Sequence, residues 1–205
     1  MSRLAGAILV GVVLAKMGVD LETIGLFELL FFLGKAATAF WSDAFAKAVL
    51  PLFPKLEERQ RTHFFQTATF LYIAFSFLVW LGLTIFKNPV LHDFLKVDDI
   101  AFYDAYILYL ALNTPGVVLK QYYTLQQNVK GLLAYTFLSF LLLPLYYLIP
   151  IYLKIDLELI FRVLSIVSLI KLLWLFTLLS QKNGVLIRVF CASYSEWVRT
   201  LWHTY

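Results

Sequence analysis

Eight ionisable side chains fall inside stretches otherwise apolar enough to lie in a lipid bilayer: Glu28, Lys35, Asp43, Lys47, Asp104, Lys120, Arg162 and Lys171. A charge at the bilayer centre costs ~2.5–3.5 kcal/mol even on the gentler insertion scale, so such residues face a partner, a water-filled cavity or a ligand. Five of the eight are basic and three are acidic. The surplus is positive, and its chemistry is that of holding an anion. On a helical wheel Glu28, Lys35, Asp43 and Lys47 fall within about 120° of arc. Gly25, Ala39 and Ala46 share that sector, with Thr38 and Ser42 at its edge. Leu33, Ala37, Phe40, Trp41, Ala44 and Ala48 lie on the other side. Asp43 and Lys47 are spaced i, i+4 and can pair across one turn. Glu28 and Lys35 form a second candidate pair. These two pairs either fix helix packing or serve function, and Asp104 is a further acid, near the outer end of the fourth segment. Lys120 and Lys171 have no acidic residue at helical spacing. They are candidates for a pathway or an anionic ligand. Lys47, Lys120 and Arg162 are also placed where a long side chain can snorkel to the interface.

The composition sets the class of protein that must position these residues. Of 205 residues, 61% are hydrophobic and 15% charged, against about 25% charged in an ordinary soluble domain. The pattern is that of an all-α integral membrane protein. The net charge of +4 is not gathered into a basic stripe apart from the helices, so no nucleic-acid partner is expected. The single Cys191 cannot form an internal disulfide, and His63, His92 and His203 are far apart. The stretch at Gly34 lacks the glycine and Ser/Thr of a phosphate-cradling loop, and no hydrolase motif occurs. No cofactor, resident metal or enzymatic activity is expected. Asp98-Asp99 is the one pair of adjacent carboxylates that could hold a metal, and it reads better as a solvated loop or helix start.

Six apolar segments are expected to span the bilayer, at 4–16, 24–50, 64–86, 100–126, 132–153 and 157–179. Together they make a transmembrane lobe over 1–183, followed by a tail over 184–205. The first is short for a crossing, which takes about 17–25 residues. The second is long, and Pro51 and Pro54 close it. The fourth carries Asn113-Thr114-Pro115-Gly116 near its middle. Proline removes a helix hydrogen bond there, so Pro115 and Gly116 mark a kink that is either a structural bend or a hinge. With the amino terminus in the cytoplasm, eight basic residues fall on the inner side and four on the outer, as the positive-inside rule requires. Both termini are then cytoplasmic. The tail, with Tyr194, Trp197, Trp202 and Tyr205, reads as an interfacial amphipathic helix, a seventh span cut short, or residues beyond a disrupted gene.

Over residues 4 to 63 the chain resembles the start of a polysaccharide or lipid-linked oligosaccharide flippase of the multidrug/oligosaccharidyl-lipid/polysaccharide exporter superfamily. The resemblance rests on the outer turn Met17–Phe27, the exit Ala46-Lys47-Ala48-Val49-Leu50-Pro51 and the basic inner loop from Lys55 to His63. It implies a bundle of two similar six-helix lobes in the inner (plasma) membrane. A cavity between the lobes, rich in Lys and Arg, would take the pyrophosphate of a polyprenyl-linked saccharide for cell-envelope polysaccharide biosynthesis. Lys35, Lys47, Lys120, Arg162 and Lys171 would then hold the anionic headgroup. Six spans make one lobe, so a second lobe is expected from the same gene, from a homodimer or from a partner. The alternatives are a cation-coupled multidrug exporter lobe with Asp43 as its buried carboxylate, a membrane-embedded sugar transferase, and an accessory subunit without cargo.

Overall fold

The computed structural model describes residues 15, 18, 20–141 and 157–183, and among these the chain is helical with no strand. Helix α1 runs from Leu21 to Leu52, α2 from Glu58 to Ile85, α3 from Tyr103 to Asn113, α4 from Gly116 to Leu125, α5 from Val129 to Thr136, and α6 from Leu157 to Asn183. Among the described residues three stretches are long and apolar enough to cross a membrane: Leu21–Phe45, His63–Ile85 and Leu157–Ser180. The chain therefore reads as a membrane protein. The first expected span, the end of the fifth and the tail 184–205 lie outside the described residues, and with them both termini.

Several helix boundaries have a local cause. Asp20 precedes α1 and caps it, its carboxylate accepting the Thr23 N–H at 2.7 Å and the Thr23 hydroxyl at 2.9 Å. The helix runs through Pro51 to Leu52, so Pro51 does not close it as expected. A short 3₁₀ turn, Phe53–Lys55, follows and contains Pro54. At the start of α2, Gln60 reaches back to the Glu57 N–H at 3.0 Å. A π-helical turn, Val90–Leu95, ends at Lys96 with φ +56°, and the α4–α5 connection turns at Gln127 with φ +52°. Asn128 caps α5 by accepting the Gly131 N–H at 3.0 Å. The expected fourth span is two helices. Thr114 and Pro115 form a turn between α3 and α4 because Pro115 has no N–H to continue the ladder.

Two hydrophobic cores are stacked along the bundle. One gathers Phe27, Leu30 and Leu33 of α1, Leu83 of α2, Tyr103, Tyr106 and Ile107 of α3, and Ile160, Phe161 and Leu164 of α6. The other gathers Phe65, Ala68 and Tyr72 of α2, Val118, Leu119, Tyr122 and Tyr123 of α4, and Leu175 and Leu179 of α6. Between them each element changes character. On α1 the stretch is Gly34 to Thr38, on α2 it is Ser76, on α6 it runs from Ser165 to Lys171, and the α3–α4 break itself falls here. Ser76, Thr114, Ser165, Ser168 and Lys171 are all buried. α6 packs most extensively against α3 and continues along α4, so it splints the broken helix. Phe32, Phe40, Phe70, Phe75, Phe77 and Ile166 are among many large apolar side chains left exposed. That surface suits contact with acyl chains.

Candidate functional site

Lys171 lies in the polar layer between the two cores and is only 5% exposed. Its stem passes Gly116, where an added Cβ would stand 3.9 Å from Lys171 Cβ and 4.0 Å from Lys171 Cε. Its ammonium donates to Asn113 Oδ1 at 2.6 Å. Asn113 is the last residue of α3, and Thr114 folds back there. The Thr114 N–H and hydroxyl both donate to the Leu110 carbonyl, at 3.1 and 2.7 Å. No acidic group among the described residues forms an ion pair with Lys171. The charge is met instead by an amide oxygen carried on the last residue of α3, at the partially negative end of that helix. The break expected at Pro115 and Gly116 is present, and Lys171 is seated on it.

The charged stripe of α1 has a different setting. Glu28, Lys35, Asp43 and Lys47 are all exposed, on the side of α1 turned away from the other described helices. Neither the Asp43–Lys47 pair nor the Glu28–Lys35 pair forms among the described residues. Among the described residues the stripe therefore ties no helix to another, as its packing reading would have required. The buried side of α1 carries Ile24, Phe27, Leu30 and Leu33. Phe40, assigned by the wheel to the backing face, is 75% exposed.

The remaining candidates are dispersed. Lys120 is exposed on α4. Arg162 is exposed on α6, and its Nε donates to Glu158 Oε1 at 3.0 Å, one turn back on the same helix. Asp104 at the start of α3 accepts from Lys87 at 2.9 Å, which ties α3 to the connection after α2. Asp104 is thus a pairing acid at the end of a helix. Lys171 is buried while Lys35, Lys47, Lys120 and Arg162 are exposed, and no described hydrogen bond or ion pair joins any two of the five. Asp98 lies exposed, 3.8 Å from His92 Nδ1, and among the described residues no three His, Cys, Asp or Glu gather as metal ligands.

Two residues at this level were not singled out in the sequence. One is Asn113 as the partner of Lys171, since the Asn-Thr-Pro-Gly run signalled only the break. The other is Gly34, next to Lys35, where the Tyr106 hydroxyl of α3 packs so closely on α1 that no Cβ fits. Compared with protein-family models, curated proteins and solved structures, the chain finds no match in any of the three.

Proposed function

We propose that this chain is one lobe of a membrane transporter that moves an anionic lipid-linked saccharide across the inner membrane without chemistry. The observation that carries the proposal is the outward stripe of α1. Four charges lie along α1, unpaired with one another and turned away from the other described helices. Lipid is a poor neighbour for such a face. A water-filled cavity closed by a second lobe is a good one, and transporter sites of this kind lie at the interface between two repeats.

Within that reading Lys35 stands near the middle of the span Leu21–Phe45, where the pyrophosphate would cross the hydrocarbon core. Lys47 stands nearer the inner end, with Lys120 as a further exposed cation. Glu28 and Asp43 limit the positive field and give the headgroup a route of alternating sites rather than one deep trap. The six-span count, with cytoplasmic termini, belongs to the same proposal. A cationic-drug exporter has less to support it, because the membrane-depth charges carry a positive surplus.

The test is solvent access to the stripe in native membranes. In a Cys191→Ser background, Lys35→Cys and Asp43→Cys are expected to react with a membrane-impermeant maleimide. Leu30→Cys, in the core, and Phe70→Cys, on the apolar surface, serve as unreactive controls. The same vesicles would be assayed for movement of a fluorescent polyprenyl-pyrophosphate saccharide, with loss expected in Lys35→Gln. If Lys35→Cys were as inert as Phe70→Cys, the cavity and the transporter reading would both fall.

A further inference from the structure

The α3–α4 break and Lys171 together have the parts of a monovalent-cation site whose cation is covalently attached. Among the described backbone hydrogen bonds none reaches the carbonyls of Ala111, Leu112 or Asn113 across the break: Pro115 cannot donate, Val117 and Val118 bond to Thr114 and Pro115, and the Gly116 N–H reaches neither Leu112 nor Asn113. The carbonyls of three consecutive residues at the negative end of a helix, and the side-chain oxygen of Asn113, are thus left available to a cation at the break. Interrupted helices in membrane proteins use such free carbonyls to coordinate small cations. Here an ammonium on α6 reaches that place: Lys171 Nζ bonds Asn113 Oδ1 at 2.6 Å, with its stem against Gly116.

The burial is too complete for a surface lysine, and the pairing is wrong for a structural salt bridge. Lys171 is 5% exposed, and the ion pairs among the described residues are Lys87–Asp104, His92–Asp98 and Arg162–Glu158. An ammonium without a carboxylate partner is held by dipoles, as a bare sodium, potassium or ammonium ion is. We infer that Lys171 is a tethered cation that occupies a monovalent-cation site at the α3–α4 break and holds the two halves of the broken helix against α6. Two consequences follow. The parent protein does not depend on the monovalent cation in the medium. Removing the lysine side chain exposes a site for a free small cation: ammonium or methylammonium first, then sodium or potassium. This goes beyond the transporter proposal and does not rest on it, since the outward stripe of α1 plays no part.

The experiment is thermal unfolding of the purified full chain in detergent, at constant chloride and ionic strength. Methylammonium, ammonium, sodium or potassium would be exchanged against N-methyl-D-glucamine, which is too large for the site. The parent midpoint is expected to be the same in all of them. Lys171→Ala is expected to unfold several degrees lower in N-methyl-D-glucamine and to recover most of that loss, saturably, in methylammonium or ammonium. Lys171→Met fills the space with apolar atoms and should gain nothing from any cation. Asn113→Leu should lower the midpoint of the parent and leave that of Lys171→Met unchanged. If Lys171→Ala can be purified only in methylammonium, the inference is supported. If it can be purified in neither medium, or gains nothing from any cation, the inference fails. It fails equally if Asn113→Leu costs as much in the Lys171→Met background as in the parent. A further result would reassign Lys171 to an anionic ligand and overturn the inference while leaving the transporter reading intact: a parent midpoint that rises with added pyrophosphate and loses that rise in Lys171→Ala.

Discussion

Gly34→Ala tests whether α1 and α3 pack as described. A Cβ at Gly34 would fall deep inside contact with the Tyr106 hydroxyl, 3.0 Å from Tyr106 Cζ and 3.2 Å from Leu110 Cδ1. Ordinary contact begins near 3.4 Å, so the hydroxyl must retreat by more than about an ångström. Tyr106 has nowhere to go. It is 2% exposed, and the rings of Phe31, Tyr109 and Phe161 stand 5.5, 6.4 and 5.3 Å from its own. Overpacking a filled core costs ~1–3 kcal/mol, and a rigid phenol with three aromatic neighbours belongs at the upper end. Alanine returns up to ~1 kcal/mol through helix propensity. The net expectation is a loss of ~2 kcal/mol. It would be read by titrating the protein from mild detergent into dodecyl sulfate and following helix content. Tyr106→Phe removes the worst contact and leaves the Cζ approach, so the double variant Gly34→Ala, Tyr106→Phe should recover a good part of the loss. A Gly34→Ala protein as stable as the parent would refute the α1–α3 contact, and so would strict additivity in the double-variant cycle.

Other expectations follow from the same geometry. Gly131→Ala drives a Cβ into the Tyr123 ring, 2.8 Å from its Cζ. It should loosen the α4–α5 pair and speed protease cleavage near Gln127. Tyr72→Phe and Tyr103→Phe each remove a hydroxyl that bonds a neighbouring helix, at Ser42 O (3.0 Å) and Leu83 O (2.9 Å). Each should cost about 0.6 kcal/mol, and no more than ~1.7, in the same titration. Lys96 adopts a left-handed conformation with φ +56°, which costs a side-chain-bearing residue ~1–2 kcal/mol. Lys96→Gly should therefore raise the unfolding midpoint. The Thr23 N–H and hydroxyl hold the Asp20 carboxyl below its ordinary value. Its cap is then fully formed at neutral pH and lost only as the pH falls through that lowered value. Asp20→Asn should keep the cap and abolish this acid-side dependence, followed through the carboxyl carbon resonance of labelled Asp20 and the helicity of the variant.

Much of the architecture was legible in the residues. The apolar runs at 24–50, 64–86 and 157–179 gave three membrane-length helices, because a helix that satisfies its own backbone is the answer to lipid on every side. Asn113-Thr114-Pro115-Gly116 marked the break for a purely local reason, the missing proline N–H. Charge placement was legible only in part. The wheel gathered Glu28, Lys35, Asp43 and Lys47 on one face, since angular position follows from the helix period. It could not say which way that face points. Nor could it find the tie between Asp104 and Lys87, which depends on the path of a connection; the Glu158–Arg162 pair, spaced i, i+4 like Asp43 and Lys47, was within its reach.

By itself the sequence determined the class of molecule, its helical segments and the existence of an anomalous set of membrane-depth charges. Those features follow from composition and from spacing along one chain. Only the tertiary structure decided that Lys35 and Lys171, both near mid-span, have opposite settings. One faces away from the other described helices, and the other is enclosed against Asn113 at the broken helix. Burial is a property of how helices rotate against one another. That rotation is set by side chains far apart in sequence: Phe161 against Phe27 and Tyr106 in one core, and Phe65 and Tyr72 of α2 packed with Tyr122 and Leu175 in the other. The packing of the two cores fixes how α6 is turned, and with it the place of Lys171.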